Sequence, residues 1–239
     1  MLKIYYEDNH IIVCYKEKGI LSQADSSSKM DMLTLLKQYI KEKYKKPGNV
    51  YLGLVHRLDI NTSGIMVFAK TSKAASRLSD AIKNHNFTKK YIATVEGILE
   101  NKDYVTLKDN ILKNEALKKS FIDKNGQEAI LEYKAIKTYT INNVLVTDLE
   151  INLKTGRFHQ IRCQLSNIGH PLYGDKKYGS DNKMDNMPLE AYYLAFPHPI
   201  TKEILVFENK WGKKWRYILR VLFIIHIKMR FFLLEEMRI

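Results

Sequence analysis

The sequence predicts an α+β fold, a mixed and largely antiparallel sheet flanked by helices and loops, and three observations carry that expectation. Short alternating or continuous apolar stretches recur along the chain, at 3–22, 50–54, 65–69, 91–95, 129–135, 144–153 and 204–207, which is the period of strands. Three other segments, 32–44, 72–84 and 160–168, repeat their apolar residues near every 3.6 positions, as helices with one buried face do. The chain has 239 residues, 45% of them hydrophobic, which is enough core for one large domain or two small ones.

Residues 3–22 read as two short strands around the Glu7-Asp8-Asn9 turn, with Lys16-Glu17-Lys18-Gly19 as a second turn. A polar loop follows to residue 29. Asp31 caps a helix from Met32 to about Tyr44, with Met32, Leu35, Leu36, Tyr39 and Ile40 as its stripe and Lys37, Lys41, Lys45 and Lys46 facing solvent. Val50, Leu52 and Leu54 alternate in one strand and 65–69 form the next, so 56–64 is expected to be a tight charged hairpin turn. A second helix is expected from Ser72, as its cap, to about Asn84. The strand of Tyr91 comes next, then a loop region at 100–109 and strands at 129–135 and 144–153. In the last of these Leu145, Leu149, Ile151 and Leu153 share a face. Gln160, Ile161, Gln164, Leu165 and Ile168 form a third helix that Gly169 stops. Residues 175–187 are a polar loop, and 204–207 a final strand.

Composition narrows the class of protein. Cys14 and Cys163 stand apart, without a CxxC partner or clustered histidines, so neither a metal site nor a disulfide framework is expected. No secretory signal opens the sequence, and a cytoplasmic location fits best. The net charge is +13, of which +6 falls in residues 210–239 and +7 in the rest. That balance favours a polyanionic partner weakly. From about residue 217 the chain becomes apolar and basic, but Arg220, Lys228 and Arg230 interrupt any membrane span. The expected organisation is a catalytic domain over 1–216 and a tail over 217–239 that docks as a helix on the body, with contact to RNA or a membrane surface as the alternative.

The most informative stretch is His56-Arg57-Leu58-Asp59-Ile60-Asn61-Thr62-Ser63-Gly64, which displays one carboxylate in a polar turn. As an isolated tripeptide, Arg57-Leu58-Asp59 would read as a salt-bridged pair closing a hairpin. The full string, followed by an apolar strand and Ala69-Lys70, resembles the central motif of the RluA-type pseudouridine synthases. Three further segments resemble that family in order: Asp8-Asn9-His10-Ile11-Ile12-Val13-Cys14-Tyr15-Lys16 through Gly19-Ile20-Leu21, then Lys90-Tyr91-Ile92-Ala93-Thr94-Val95-Glu96-Gly97, then Leu153-Lys154-Thr155-Gly156-Arg157-Phe158-His159-Gln160-Ile161-Arg162. Gly169-His170-Pro171, Gly174-Asp175 and Tyr178-Gly179 complete the third. The resemblance covers about residues 4–208.

That resemblance implies the pseudouridine synthase fold and a cofactor-free isomerase of uridine in structured RNA, with ribosomal RNA the better expectation than transfer RNA. It implies Asp59 as nucleophile, with a low pKa beside a cation, and Tyr91 as the ring stacked on the target uracil and a candidate base. An arginine of the third motif pairs with Asp59, Arg162 being the first choice and Arg157 the second. Because a paired uridine must leave its stack to react, Arg57 is expected to fill the space or hold the everted nucleotide. Arg157, His159, Lys176 and Lys177 are candidate RNA contacts, although bracing is the favoured role of His159 and Gln160. His56 is expected to order the turn, and His170-Pro171 and Asp175 to shape loops. Gln164 and Glu190 depart from positions where histidine is common in the family. The chain also starts almost at the first catalytic strand, so recognition is expected to rest on this body as a monomer, without DNA, metal or stable membrane insertion. A catalytically silent RNA-binding protein of the same fold is the alternative; a glycosidase or nuclease would need a second carboxylate or a metal cluster.

Overall fold

The computed structural model describes residues 2–27, 29–182 and 187–209. Two antiparallel strands open the chain, β1 (Lys3–Glu7) and β2 (Ile11–Lys16). Between them Asp8 Oδ1 accepts from the backbone amides of His10 and Ile11 at 2.7 and 2.8 Å, which fixes the turn. Helix α1 (Met32–Lys43) starts at Asp31, whose side chain accepts from Thr34 N at 3.0 Å, and it buries Met32, Leu36 and Ile40 while Lys37 and Lys41 face solvent.

A two-residue strand β3 (Gly53–Leu54) pairs antiparallel with β4 (Ser63–Ala69), Leu54 lying opposite Phe68. The expected tight hairpin is therefore corrected: pairing stops at Leu54, and 55–62 make a wide excursion that carries Asp59. Helix α2 (Ser72–Lys83) is capped by Thr71, not Ser72, since the Thr71 hydroxyl accepts from Ala74 N at 3.1 Å. Strand β5 (Thr88–Glu96) contains Tyr91.

Three strands were not anticipated. Strand β6 (Val105–Asn114) replaces much of the loop expected at 100–109, and β7 (Lys119–Ile122) hairpins onto it. Both lie at the end of the sheet, where dense charge obscures the apolar alternation. Strands β8 (Gln127–Ile141) and β9 (Val144–Leu153) follow. In β9 Leu149, Ile151 and Leu153 are buried as expected, but Leu145 is exposed because the strand end passes beyond the core. Helix α3 (Gln160–Asn167) matches the third motif, and a single 3₁₀ turn, Lys176–Tyr178, lies in the following loop. The third unanticipated strand is β10 (Leu189–Pro197), before β11 (Ile204–Glu208).

These strands form one 11-stranded sheet in the order β1-β2-β4-β10-β5-β9-β8-β6-β7, with β3 on β4 and β11 on β10. The β4–β10 pair is parallel and the other described strand pairs are antiparallel. Alternate residues of β2 and β4 feed two cores. Ile12, Cys14, Met66 and Phe68 pack with α1, and Leu58, Tyr91, Ile161 and Leu165 belong to the same cluster. Ile11, Val13, Ile65, Val67 and Ala69 pack with α2 on the opposite face. Burial on both faces explains why 65–69 is an unbroken apolar run.

Gly64 is needed where β4 meets β10. It has φ +140°, and a Cβ there would lie 2.4 Å from Ala191 O and 2.5 Å from Ala191 Cβ, so only glycine lets the two backbones approach this closely. The predicted tail at 217–239 and residues 183–186 of the predicted 175–187 loop lie outside the described residues.

Candidate active site

Asp59 sits on the excursion between β3 and β4, and that segment is held from both sides. The Ser22 hydroxyl donates to Leu58 O at 2.7 Å and accepts from Leu58 N at 3.0 Å. Ile60 O accepts from Gly19 N at 2.9 Å and from Lys16 Nζ at 3.3 Å, and Thr62 N closes back on Asp59 O at 3.0 Å. His56 accepts at Nε2 from Val67 N at 3.1 Å and packs its ring 5.7 Å from that of Phe87. Burial and the nearby Lys89 charge depress its pKa to about 3, so it stays neutral and orders the segment.

The Asp59 carboxylate opens into a cleft of about 900 Å³ that Arg57, Tyr91, Lys89, Arg157 and His159 also line, within the roughly 300–1,000 Å³ of small-ligand sites. Its Oδ2 lies 3.7 Å from Arg162 Nη1 and 3.6 Å from His159 Nε2. Arg162 is thus the arginine beside Asp59. Arg157 is excluded as that partner, because its Nε donates to Glu128 O at 2.9 Å and its side chain is exposed on the cleft wall.

Arg162 does not give Asp59 its fork. Its Nε and Nη2 donate to Asp175 Oδ2 and Oδ1 at 2.6 and 2.8 Å in a buried bidentate pair, and its guanidinium carbon lies 4.8 Å from the centre of the Tyr178 ring. Asp175 therefore does more than shape a loop: it orients the arginine so that Nη1 alone faces the cleft.

His159 is braced in the same way. The Tyr178 hydroxyl accepts from Ser120 N at 2.8 Å and shares a hydrogen bond with His159 Nδ1 at 3.1 Å. The other ring nitrogen of His159, Nε2, faces Asp59. Burial and the Arg162 charge hold its pKa down at about 3. Gln160 is a brace outright: its Oε1 accepts from Thr155 Oγ1 at 2.8 Å and Arg157 N at 3.0 Å, and its Nε2 donates to Gln164 Oε1 at 3.0 Å.

The expected low pKa of Asp59 is corrected. Desolvation in the cleft raises it, and the attractions of Arg162 and Lys16 offset that only in part. Lys16 is fully buried, with Nζ donating to the backbone oxygens of Glu17, Ile20 and Ile60 at 3.1, 2.7 and 3.3 Å. Burial lowers its pKa to about 8, against the pull of Asp59. Burial and the Asp59 charge raise the pKa of Tyr91 on β5, so its phenol is held protonated.

Sequence reasoning missed Lys16, Lys89, Tyr178 and the pairing role of Asp175. Tyr178 and Asp175 stood inside the third motif, and Lys16 inside the first, but nothing in their spacing shows which way they point. Lys176 and Lys177 do not line the cleft; both are exposed, and Lys177 Nζ donates to Lys118 O at 3.1 Å. Gln164 and Glu190 are also outside it, the first bonded to Asp109 and Ala129 O, the second accepting from Tyr15 and Asn209. Among the described residues there is no cluster of three His, Cys, Asp or Glu placed to hold a metal, and no helix long and apolar enough to cross a membrane.

A carboxylate with a facing guanidinium, beside the Tyr91 ring in an open cleft, fits nucleotide chemistry, and comparison with known proteins names the class. The RNA pseudouridylate synthase family matches residues 10–167. A relative from Aquifex aeolicus (strain VF5), described as an uncharacterized RNA pseudouridine synthase, is 34% identical over 221 residues, 87% of this chain and 68% of its own. Ribosomal large subunit pseudouridine synthase C of Rickettsia bellii (strain RML369-C) is 35% identical over 207 residues, 85% of this chain and 64% of its own. Human RNA Pseudouridylate Synthase Domain Containing 1 shares the fold, with a TM-score of 0.70 at 24% identity over 87% of this chain and 83% of that one. The chain belongs to the RNA pseudouridylate synthase family, whose members are isomerases acting on uridine in RNA. It spans about two thirds of the length of the two curated relatives described.

Proposed function

We propose that this protein converts uridines of structured large-subunit ribosomal RNA to pseudouridine, with Asp59 as the nucleophile. The observation that carries this is the carboxylate of Asp59 held 3.7 Å from Arg162 Nη1 in the cleft that Tyr91 lines. The substrate class rests on relatives whose names are ribosomal large subunit pseudouridine synthases C and D. The reaction breaks the bond from ribose C1′ to uracil N1, forms one from C1′ to C5, and exchanges the C5 proton for one at N1. No atom or electron is gained, so the residues need only stabilise the separated sugar and ring and keep the ring in place.

Asp59 attacks as the carboxylate, which needs no separate base. Arg162 stabilises its charge before the carboxylate bonds C1′ and displaces uracil N1, and again when that C1′–O bond breaks as uracil C5 bonds to C1′. The Tyr91 ring is a platform for the uracil; its phenol is protonated, so acting as a base would require an acceptor for its own proton. Arg57, exposed at the cleft, fills the space that the everted nucleotide leaves. Arg157 and His159 are RNA contacts on the cleft wall, and Lys176 and Lys177 reach only phosphates beyond it.

Replacement of Asp59 by Asn keeps the shape and removes the charge. In an assay of pseudouridine content in a large-subunit ribosomal RNA transcript, Asp59→Asn loses all turnover and keeps RNA affinity within a few-fold. Residual turnover with lost binding would assign Asp59 a structural role. A wild-type chain that binds this RNA without modifying it would be the silent alternative.

A further inference from the structure

We propose that Lys89 receives a phosphodiester flanking the everted nucleotide, which makes it the backbone-reading residue of the cleft. The proposal rests on the RNA-modifying reading above and adds a contact to it. Lys89 lies on β5 two residues before Tyr91, and regular pairing with β9, Lys89 opposite Leu153 and Tyr91 opposite Ile151, puts both on one face of the sheet. Both line the cleft. The Lys89 ammonium is also close to the Thr155-Gly156-Arg157 turn: a Cβ on Gly156 would lie 3.4 Å from Nζ. Its charge is felt at His56, on the segment that carries Asp59.

Three neighbouring cations are committed elsewhere. Arg162 is forked onto Asp175, Lys154 pairs with Glu132 at 3.0 Å, and Lys90, on the other face of β5, faces Glu150 at 3.6 Å. Lys89 is half-buried, and among the described residues it has neither an anionic partner nor a hydrogen bond from Nζ. Burial accordingly lowers its pKa. A partly desolvated ammonium without a partner costs stability unless an anion arrives to share the site. RNA supplies one anion per nucleotide, and the position beside Tyr91 is where the backbone of a base stacked on that ring must pass. Lysine suits this as a point charge that tolerates several phosphate geometries.

The test uses the full chain and single-stranded poly(U), with affinity measured as a function of salt, so that binding is read without turnover. Lys89→Met keeps the apolar stem and removes the charge. It is expected to weaken binding roughly tenfold at low salt, to reduce the slope of log K against log salt by about 0.7, and to raise the melting temperature of the free protein. Lys89→Arg restores the slope. An unchanged slope in Lys89→Met, or equal weakening in both variants with lowered melting temperatures, overturns the proposal, as does failure of the wild type to bind poly(U). If the Lys89 effects appear while the wild type modifies no uridine, the catalytic reading fails and this contact stands.

Discussion

Replacing Arg162 with Lys separates two tasks that one guanidinium performs. Nε and Nη2 hold Asp175, and Nη1 faces Asp59 at 3.7 Å. An ammonium has one centre of charge and follows the buried Asp175, whose side chain is 3% exposed. At 3.7 Å the attraction to Asp59 is about 4 kcal/mol for an effective dielectric near 20, and doubling the separation halves it. The loss of about 2 kcal/mol favours the protonated acid, so the rate at neutral pH falls with the ionised fraction of Asp59, by at most roughly 30-fold. The pH profile moves with it. Desolvation already raises the pKa of Asp59 against the pull of Arg162 and Lys16, so activity is lost as pH falls through that raised value. Weakening the arginine's pull favours the protonated acid further and shifts the acid limb to higher pH. His159, Lys16, Asp175 and Tyr91, the other polar groups near the carboxylate, are unchanged in the variant. The assay is single-turnover pseudouridine formation across pH, with a melting curve as control. A wild-type rate and an unmoved acid limb in Arg162→Lys would refute the reasoning, most directly if Arg157→Lys is the crippled variant.

The other predictions concern the frame and the tail. Gly64→Ala forces a Cβ into the backbone of Ala191, so the β4–β10 junction must part; melting temperature and turnover are expected to fall together. A fully stable Gly64→Ala protein would show that the junction yields freely. Removal of residues 217–239 is expected to lower the melting temperature without changing the salt slope of RNA binding. A flattened slope with unchanged melting would put those basic residues on phosphate instead.

The arrangement around Asp59 exchanges stability for reactivity. Its carboxylate is 27% exposed and keeps one facing guanidinium nitrogen and one imidazole nitrogen, both beyond hydrogen-bond length. The strong pairing is set one layer back, in the Arg162–Asp175 fork, where it constrains direction without neutralising the nucleophile. A fork turned onto Asp59 would quench the charge that the chemistry uses.

Residue types and local spacing sufficed for much of this molecule. The alternation in β9, the 3.6-residue stripes of α1 and α3, and the Asp31 cap follow from local rules, because strand and helix periods are properties of adjacent residues. Asp59 and Arg162 were singled out by the resemblance of two motifs about a hundred positions apart, not by local rules. Other features depended on contacts between distant segments. Strand β10, an aromatic-rich run of Tyr192, Tyr193, Leu194 and Phe196, is buried at the centre of the sheet, and a register shift between Ala191 and Tyr193 breaks its alternation. The choice between Arg157 and Arg162 depended on where Glu128 O and Asp175 lie, and the direction of the Asp59 pKa on how much water the assembled cleft excludes. A chain's local pattern specifies which residues can form an element, but direction, pairing and desolvation are set by neighbours that arrive from elsewhere in the sequence.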